Sequence, residues 1–173
     1  MSEITIRTVT SRSDLRKFIA FPNKLFKGVP TYIPALNSDE RKLLTDKNPS
    51  LEHCSRELYL AYRDGKIVGR IAAIINRSVN EHWNKKAVRF GWFDFIEDYE
   101  VFKTLLNKVV EYGKRNGMTE IEGPFGFTDM DKECWVIDNL TPDKISPPFT
   151  IPSTTLSSLS VPVMRFVVNG SSM

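Results

Sequence analysis

A chain of 173 residues is long enough for one domain with a substantial core. Its 24 Lys and Arg against 21 Asp and Glu leave a charge of +3, scattered among the acids, which argues against a nucleic-acid-binding face. It holds no apolar run of twenty residues, no signal-peptide pattern and no metal spacing around Cys54 and Cys134, so the expectation is a reduced, cytoplasmic protein with no membrane partner.

Ile4–Val9 alternates apolar with polar residues and predicts a first, half-buried strand. Ser11 and Ser13 can cap a helix from about Asp14, with Leu15, Phe18, Ile19 and Phe21 on one face, interrupted at Pro22. A short continuation, Asn23–Lys27, ends at Gly28. The segment from Val29 to Pro34 carries two prolines and is expected to lie extended over the core. Asn37 or Ser38 then starts a short helix, Asp39–Leu44, stopped by Asn48-Pro49.

Glu57–Asn76 is the centre of the pattern. Two apolar runs, Leu58–Tyr62 and Ile67–Ile75, are joined by Arg63-Asp64-Gly65-Lys66, and Asp-Gly between such runs is a strong hairpin signal. The second run is almost continuously apolar, as in a strand covered on both faces. Gly69 within it marks a bulge or a close backbone approach, and Arg70 must reach solvent or a carboxylate. A hairpin alone is marginal in water, so further strands and helices must cover it.

Ala87–Phe95, dense in aromatics, is the next strand, and its Trp92, Phe93 and Phe95 read as core. Asp98 caps a helix from Tyr99 to Asn116 whose Val101, Phe102, Leu105, Leu106, Val109 and Val110 form one apolar stripe. Lys114 and Arg115 suit its last turn and Gly117 its C′ position. Met118–Glu122 reads as a strand returning in parallel, ended by Gly123-Pro124-Phe125-Gly126. Glu133–Leu140 opens a further helix. The predicted order is β-α-α-β-β-β-α-β, an α/β (α+β) mixed sheet with helices on its faces.

That order, with the strand Val68–Asn76 at its middle, resembles the first part of the GNAT acetyltransferase superfamily. Phe21–Phe26, Tyr32–Leu36, Val68–Asn76 and Gly123–Asp131 look like an uncharacterised bacterial GNAT-like family carrying two such lobes in tandem. The resemblance covers about residues 3–140 and implies a first lobe. Enzymes of the superfamily hold the coenzyme A pyrophosphate on backbone N–H groups of an Arg/Gln-x-x-Gly-x-Gly/Ala loop before the main helix. Here Ile96, Glu97, Asp98, Tyr99 and Glu100 occupy that place, with no glycine and three carboxylates. The departure implies a catalytically silent lobe that needs no cofactor, acetyl-CoA being expected only if it is active. Glu57 and Asp94 lie at strand ends where such an enzyme places a general base, and pairing with Arg70 or Arg89 is the structural alternative for either. A binding or scaffolding module that holds a partner lobe or a small ligand is the second reading, and a working acetyltransferase with an unusual coenzyme site the third.

Other candidates have plainer readings. Asp129, Asp131 and Glu133 alternate like the start of a calcium loop, but its later glycine and glutamate positions hold Cys134 and Leu140, so no metal is expected. Cys134 and the dipeptide His53-Cys54 lack an activating partner, and His82 and Trp83 belong to a polar connection.

From Thr141 the composition breaks. The last 33 residues, 141–173, hold five of the ten prolines and are rich in Ser and Thr. Residues 1–140 are therefore expected to be the folded lobe and 141–173 an irregular tail, with the C-terminal part of the fold missing. Reading synonymous codons for Phe149–Leu156 from the third base of Pro148 permits Ile-Tyr-Asn-Pro-Phe-Tyr-Tyr-Pro, which resembles the stretch after the first lobe in the two-lobed family. The tail is read as truncated or frameshifted. The last parallel strand would then expose an edge open to a second copy or a second GNAT-like lobe.

Overall fold

Six strands form one sheet whose spatial order is the chain order, β1-β2-β3-β4-β5-β6. The computed structural model describes residues 2–30, 32–128 and 131, together with the backbone of 164–167. The expected helix at Glu133–Leu140 and the remainder of the tail lie outside the described residues.

The strands are β1 (Thr5–Thr8), β2 (Cys54–Arg63), β3 (Lys66–Asn76), β4 (Ala87–Phe95), β5 (Glu120–Gly123) and β6 (Met164–Val167). The helices are α1 (Arg12–Leu25), α2 (Asn37–Leu43), α3 (Arg77–His82) and α4 (Tyr99–Arg115), with a 3-10 turn at Pro49–Glu52. Strands β1 to β4 pair antiparallel, β4 and β5 pair in parallel, and β6 returns antiparallel to β5.

The hairpin forms as its turn chemistry requires. Asp64 and Gly65 have φ of 50° and 73°, both left-handed, and Arg63 pairs with Lys66. The register shifts between Ala61 and Tyr62, leaving Val68 as an extra residue beside Gly69. Gly69 also meets a close approach: a Cβ there would stand 2.7 Å from Leu105 Cδ1 of α4 and 3.0 Å from Val101 Cγ1. Of the two alternatives expected for this glycine, the bulge holds, and the close approach is by side chains of α4 and β4 rather than by backbone.

Alternation along the strands sorts the core into two layers. Tyr59, Val68, Ile71, Ala73, Val88, Phe90, Phe93 and Ile121 pack against the α4 stripe of Val101, Phe102, Leu105 and Val109. Leu58, Leu60, Ala72 and Ile74 face Phe18 and Ile19 of α1, Leu44 and Phe127. Ile71 and Ile74, pointing to opposite faces, are both fully buried.

Helix α1 does not break at Pro22; it runs through to Leu25. The usual objection to an interior proline is the orphaned carbonyl four residues earlier. Here that carbonyl, Phe18 O, accepts from Arg70 Nη1 at 2.8 Å, and Arg70 Nε donates to Asp94 Oδ2 at 2.6 Å. The guanidinium also lies over the Phe18 ring, 5.0 Å from its centroid.

Other differences are local. Ser11 caps α1 through Asp14 N, so the helix starts at Arg12 rather than Asp14. Leu36 stands at the N-cap of α2, where Asn37 or Ser38 was expected, and no side chain caps that helix. The connection after β3 contains α3, capped by Asn76. Within the Val29–Pro34 segment Tyr32 is half-buried against Phe26, whereas Val29 and Ile33 are exposed. The edge of β5 is not open: all four of its residues pair with Met164–Val167, so the expectation of an irregular tail fails for these four positions.

Arg70→Ala is expected to cost about 3–5 kcal/mol in urea unfolding, because it strands both Asp94 and the Phe18 carbonyl. Adding Pro22→Ala should recover about 1 kcal/mol, since the restored N–H at position 22 can take that carbonyl. Additive losses in the double variant would contradict the link. Ile71→Ala and Ile74→Ala should each cost about 2–5 kcal/mol.

Candidate functional site

Helix α4 begins where β4 ends, so its N-terminal amides face the end of the sheet at which a ligand could approach. The first turn is already occupied. Asp98 Oδ1 accepts from Glu100 N at 2.9 Å and from Val101 N at 3.2 Å, the arrangement of an N-cap. Its other oxygen, Oδ2, accepts from Arg63 Nη1 at 2.6 Å. Arg63 closes β2 beside the hairpin turn, so the hairpin delivers the cation that fixes the cap. The Arg63 hydrogen bond, then those of the two amides, hold the Asp98 carboxyl below the usual carboxylate range, and the same contact raises Arg63. Glu97, Tyr99 and Glu100 are exposed around it. A pyrophosphate arriving here would meet amides already taken and three carboxylates against one arginine.

The space beside β4 is also filled. Along β4, strand β5 pairs with Ala87, Val88 and Arg89. Beyond that, Phe125 N donates to Phe90 O at 2.8 Å, and the Phe125 carbonyl lies against Gly91 where a Cβ would clash. The crevice that parallel strands open beyond their carboxyl ends is thus lined by the chain's own backbone.

Strand β4 bulges at the same level. Arg70 pairs with Asp94 and Ala72 with Gly91, so Trp92 and Phe93 together oppose Ile71. Trp92 takes a left-handed φ of 46°, uncommon for a bulky residue, and its Nε1 donates to Glu40 Oε2 of α2 at 2.7 Å. Tyr32 stands near this group, its hydroxyl donating to Asn23 Oδ1 at 2.6 Å. Burial first, and then the Asp94 charge, push the Tyr32 hydroxyl up, so it remains protonated at neutral pH. The sequence marks Trp92 only as a core aromatic and gives Glu40 and Tyr32 no role. Gly91 before an aromatic was the one available signal for the bulge.

The two candidate bases are not brought together. Asp94 points to the α1 side and is held by Arg70, as one of the two readings expected. Glu57 lies on the α4 side, where its Oε2 accepts from Tyr59 Oη at 2.6 Å and from Arg115 Nη2 at 2.9 Å. Its partner is therefore Arg115, at the end of α4, rather than Arg70 or Arg89. Burial and then Glu57 drive the Tyr59 phenol upward. Arg89 sits under the Phe125 ring, 5.3 Å from its centroid, and its buried Nη1 has no hydrogen-bond partner.

The remaining candidates keep structural roles. Cys54 is a buried free thiol pushed up by desolvation. Asp131 Oδ2 accepts from Thr128 N at 2.9 Å, while Asp129, Glu133 and Cys134 lie outside the described residues. Among the described residues no group of three or more His, Cys, Asp or Glu could hold a metal. His82 and Trp83 stack edge to face at the surface.

No protein-family model matches the chain. It is 37% identical over 120 residues to Protein YghO of Escherichia coli strain K12, a match covering 69% of this chain and 31% of that protein. It is 30% identical over 129 residues to the bacterial ceramide synthase of Caulobacter vibrioides strain NA1000, covering 73% and 34% respectively. The chain thus spans about a third of the length of these curated relatives. Among solved structures it resembles a tandem GNAT protein from the clavulanic acid biosynthesis pathway, with a TM-score of 0.57, 11% identity and coverage of 91% of this chain and 43% of that one. It also resembles a GNAT-family acetyltransferase from Staphylococcus aureus Mu50, with a TM-score of 0.50, 20% identity and coverage of 71% and 75%. At these identities the likeness is one of fold: the chain has the mixed-sheet GNAT fold.

Asp98→Ala should cost about 1–2 kcal/mol at pH 7, as the loss of a cap and an ion pair. A carboxyl depressed in the folded state stabilises above its unfolded value, here 3.8, and that contribution is lost as pH falls through the lower folded value. The gap between wild type and variant in urea unfolding should therefore narrow below that pH. An unchanged gap at pH 7 and pH 2 would contradict the assignment.

Proposed function

We propose that residues 3–140 are the first lobe of a longer, two-lobed GNAT-fold acyltransferase, that this lobe is catalytically silent, and that the whole protein joins an acyl group to the amine of a long-chain lipid. The observation that carries the silent lobe is the Asp98 carboxylate on the first-turn amides of α4, backed by Arg63. Those donors are what a coenzyme pyrophosphate would need. The residues present do not fit that group, and no catalytic step is routed through it.

The two-lobed part is supported by the chain's share of its relatives, about a third of each, and by a tandem GNAT protein among the similar folds. The acyl chemistry is supported by the relative named a ceramide synthase. A ceramide is an amide of a fatty acid with a long-chain amino alcohol, so its synthesis forms an N-acyl bond. The composition after Thr141 supports an out-of-frame end, while the pairing of Met164–Val167 with β5 speaks against one. Sequencing the gene across codons 138–150 decides that point, one missing or extra base being expected.

The left-handed Trp92 in the β4 bulge favours a second reading, an active N-acetyltransferase that takes acetyl-CoA in an unusual mode. Strained backbone gathers at functional sites. Calorimetric titration of the full chain with acetyl-CoA and with palmitoyl-CoA separates the two. No saturable heat is expected with either up to about 1 mM ligand; a micromolar Kd would overturn the silent lobe.

A further inference from the structure

Among the described residues the exposed large apolar side chains are Val29, Ile33, Leu36, Trp83 and Tyr99. Three of these five fall in the connection between α1 and α2, with Ile33 at 68% and Leu36 at 69% exposure. Pro30 and Pro34 between them are exposed as well and hold the segment away from helical geometry. Leu36 is the more telling, because it stands at the N-cap of α2 and leaves that helix without a side-chain cap. Serine, aspartate or asparagine there would stabilise the fold. An exposed leucine at that position gives no return to this lobe in isolation.

The rim around this segment is basic. Lys24 and Lys27 precede it, Arg41 and Lys42 come after it, and all four carry their charge at the lobe's surface. The adjacent acids do not cancel them: Glu40 is buried and accepts from Trp92, Asp39 is exposed 3.8 Å from Lys42, and the exposed Asp46 lies 3.8 Å from Arg56. Apolar side chains framed by cations suit a surface that is anionic outside and apolar beneath. A second copy of the chain suits it less, since a symmetric contact would set four cations against four.

We infer that the Val29–Leu36 connection, with Lys24, Lys27, Arg41 and Lys42, is a docking surface for an anionic lipid bilayer. This revises the expectation of no membrane partner, which rested on the lack of a spanning segment. Among the described residues no helix is long and apolar enough to cross a membrane, and a contact lying on the surface needs none. The inference deepens the lipid-directed part of the proposed function and rests on it for the meaning of the contact. Vesicle binding is measured without acyl transfer, so either can fail without the other.

The test is sedimentation of the full chain with vesicles of phosphatidylcholine alone and of phosphatidylcholine with phosphatidylglycerol, at low and at physiological salt. Binding is expected only to the anionic vesicles and should weaken with salt. Ile33→Asp with Leu36→Asp, and separately Lys24→Glu with Lys27→Glu, should each reduce partitioning by about tenfold or more while leaving the circular dichroism unchanged. Absence of binding to anionic vesicles, or binding by either variant equal to that of the unsubstituted chain, would overturn the inference. So would a concentration-dependent dimer abolished by the same substitutions in a chain that ignores vesicles.

Discussion

The buried guanidinium of Arg70 ties together three parts of the chain that would otherwise conflict. It sits in the middle of the apolar strand β3, with only 7% of its side chain exposed, where an unpaired charge would be prohibitive. Asp94 on β4 supplies the counter-charge across the sheet, at the residue where the β4 bulge ends. The carbonyl that Pro22 cannot reach supplies a second acceptor, so α1 continues through its proline and lies on the sheet at Phe18. Removing Arg70 leaves both acceptors short of a partner, and removing either acceptor leaves part of the buried guanidinium unpaired. The Arg70 contact, together with the packing of Phe18 and Ile19 on the sheet, places α1 and hence the α1–α2 connection.

What was legible in the sequence were the features whose chemistry is local. Asp64-Gly65 specifies its own turn, Asp98 its own helix start, and the α4 stripe its own face. Pro22 misled because the group that compensates it lies 52 residues away in the chain from Phe18, and a local rule cannot contain it. Helix α3 was hidden for a different reason: six mostly polar residues on the surface show no apolar period, and only the Asn76 cap marks them. The bulge at Trp92 is a property of register between β3 and β4, which one strand's composition does not reveal. Pairing of Met164–Val167 with β5 is likewise a long-range fact that a Ser/Thr/Pro-rich composition obscures.

The same division applies to the candidate site. Missing glycines and surplus carboxylates at Ile96–Glu100 could be counted in the sequence, and they pointed to a start of α4 unsuited to phosphate. The reason that start is closed could not be counted. Arg63, 35 residues before Asp98, arrives through the hairpin and fixes that carboxylate on the amides of Glu100 and Val101. Asp94, a candidate base by position, is likewise absorbed into the architecture by Arg70, and Glu57 by Arg115 on the opposite face. Asp98, Asp94 and Glu57 are each paired with an arginine of the chain itself. On the α1–α2 connection, by contrast, exposed apolar side chains are flanked in the chain by exposed Lys and Arg.

The first turn of α4 is an occupied cap rather than an open phosphate site. Amide NMR of the full chain, titrated with coenzyme A, reads that turn directly. The expected result is that the Glu100 and Val101 amide resonances stay in place up to about 1 mM ligand, a concentration that would reveal even weak binding. Saturable shifts concentrated between Glu97 and Phe102 would contradict it, because they would show the coenzyme displacing Asp98 from its own helix.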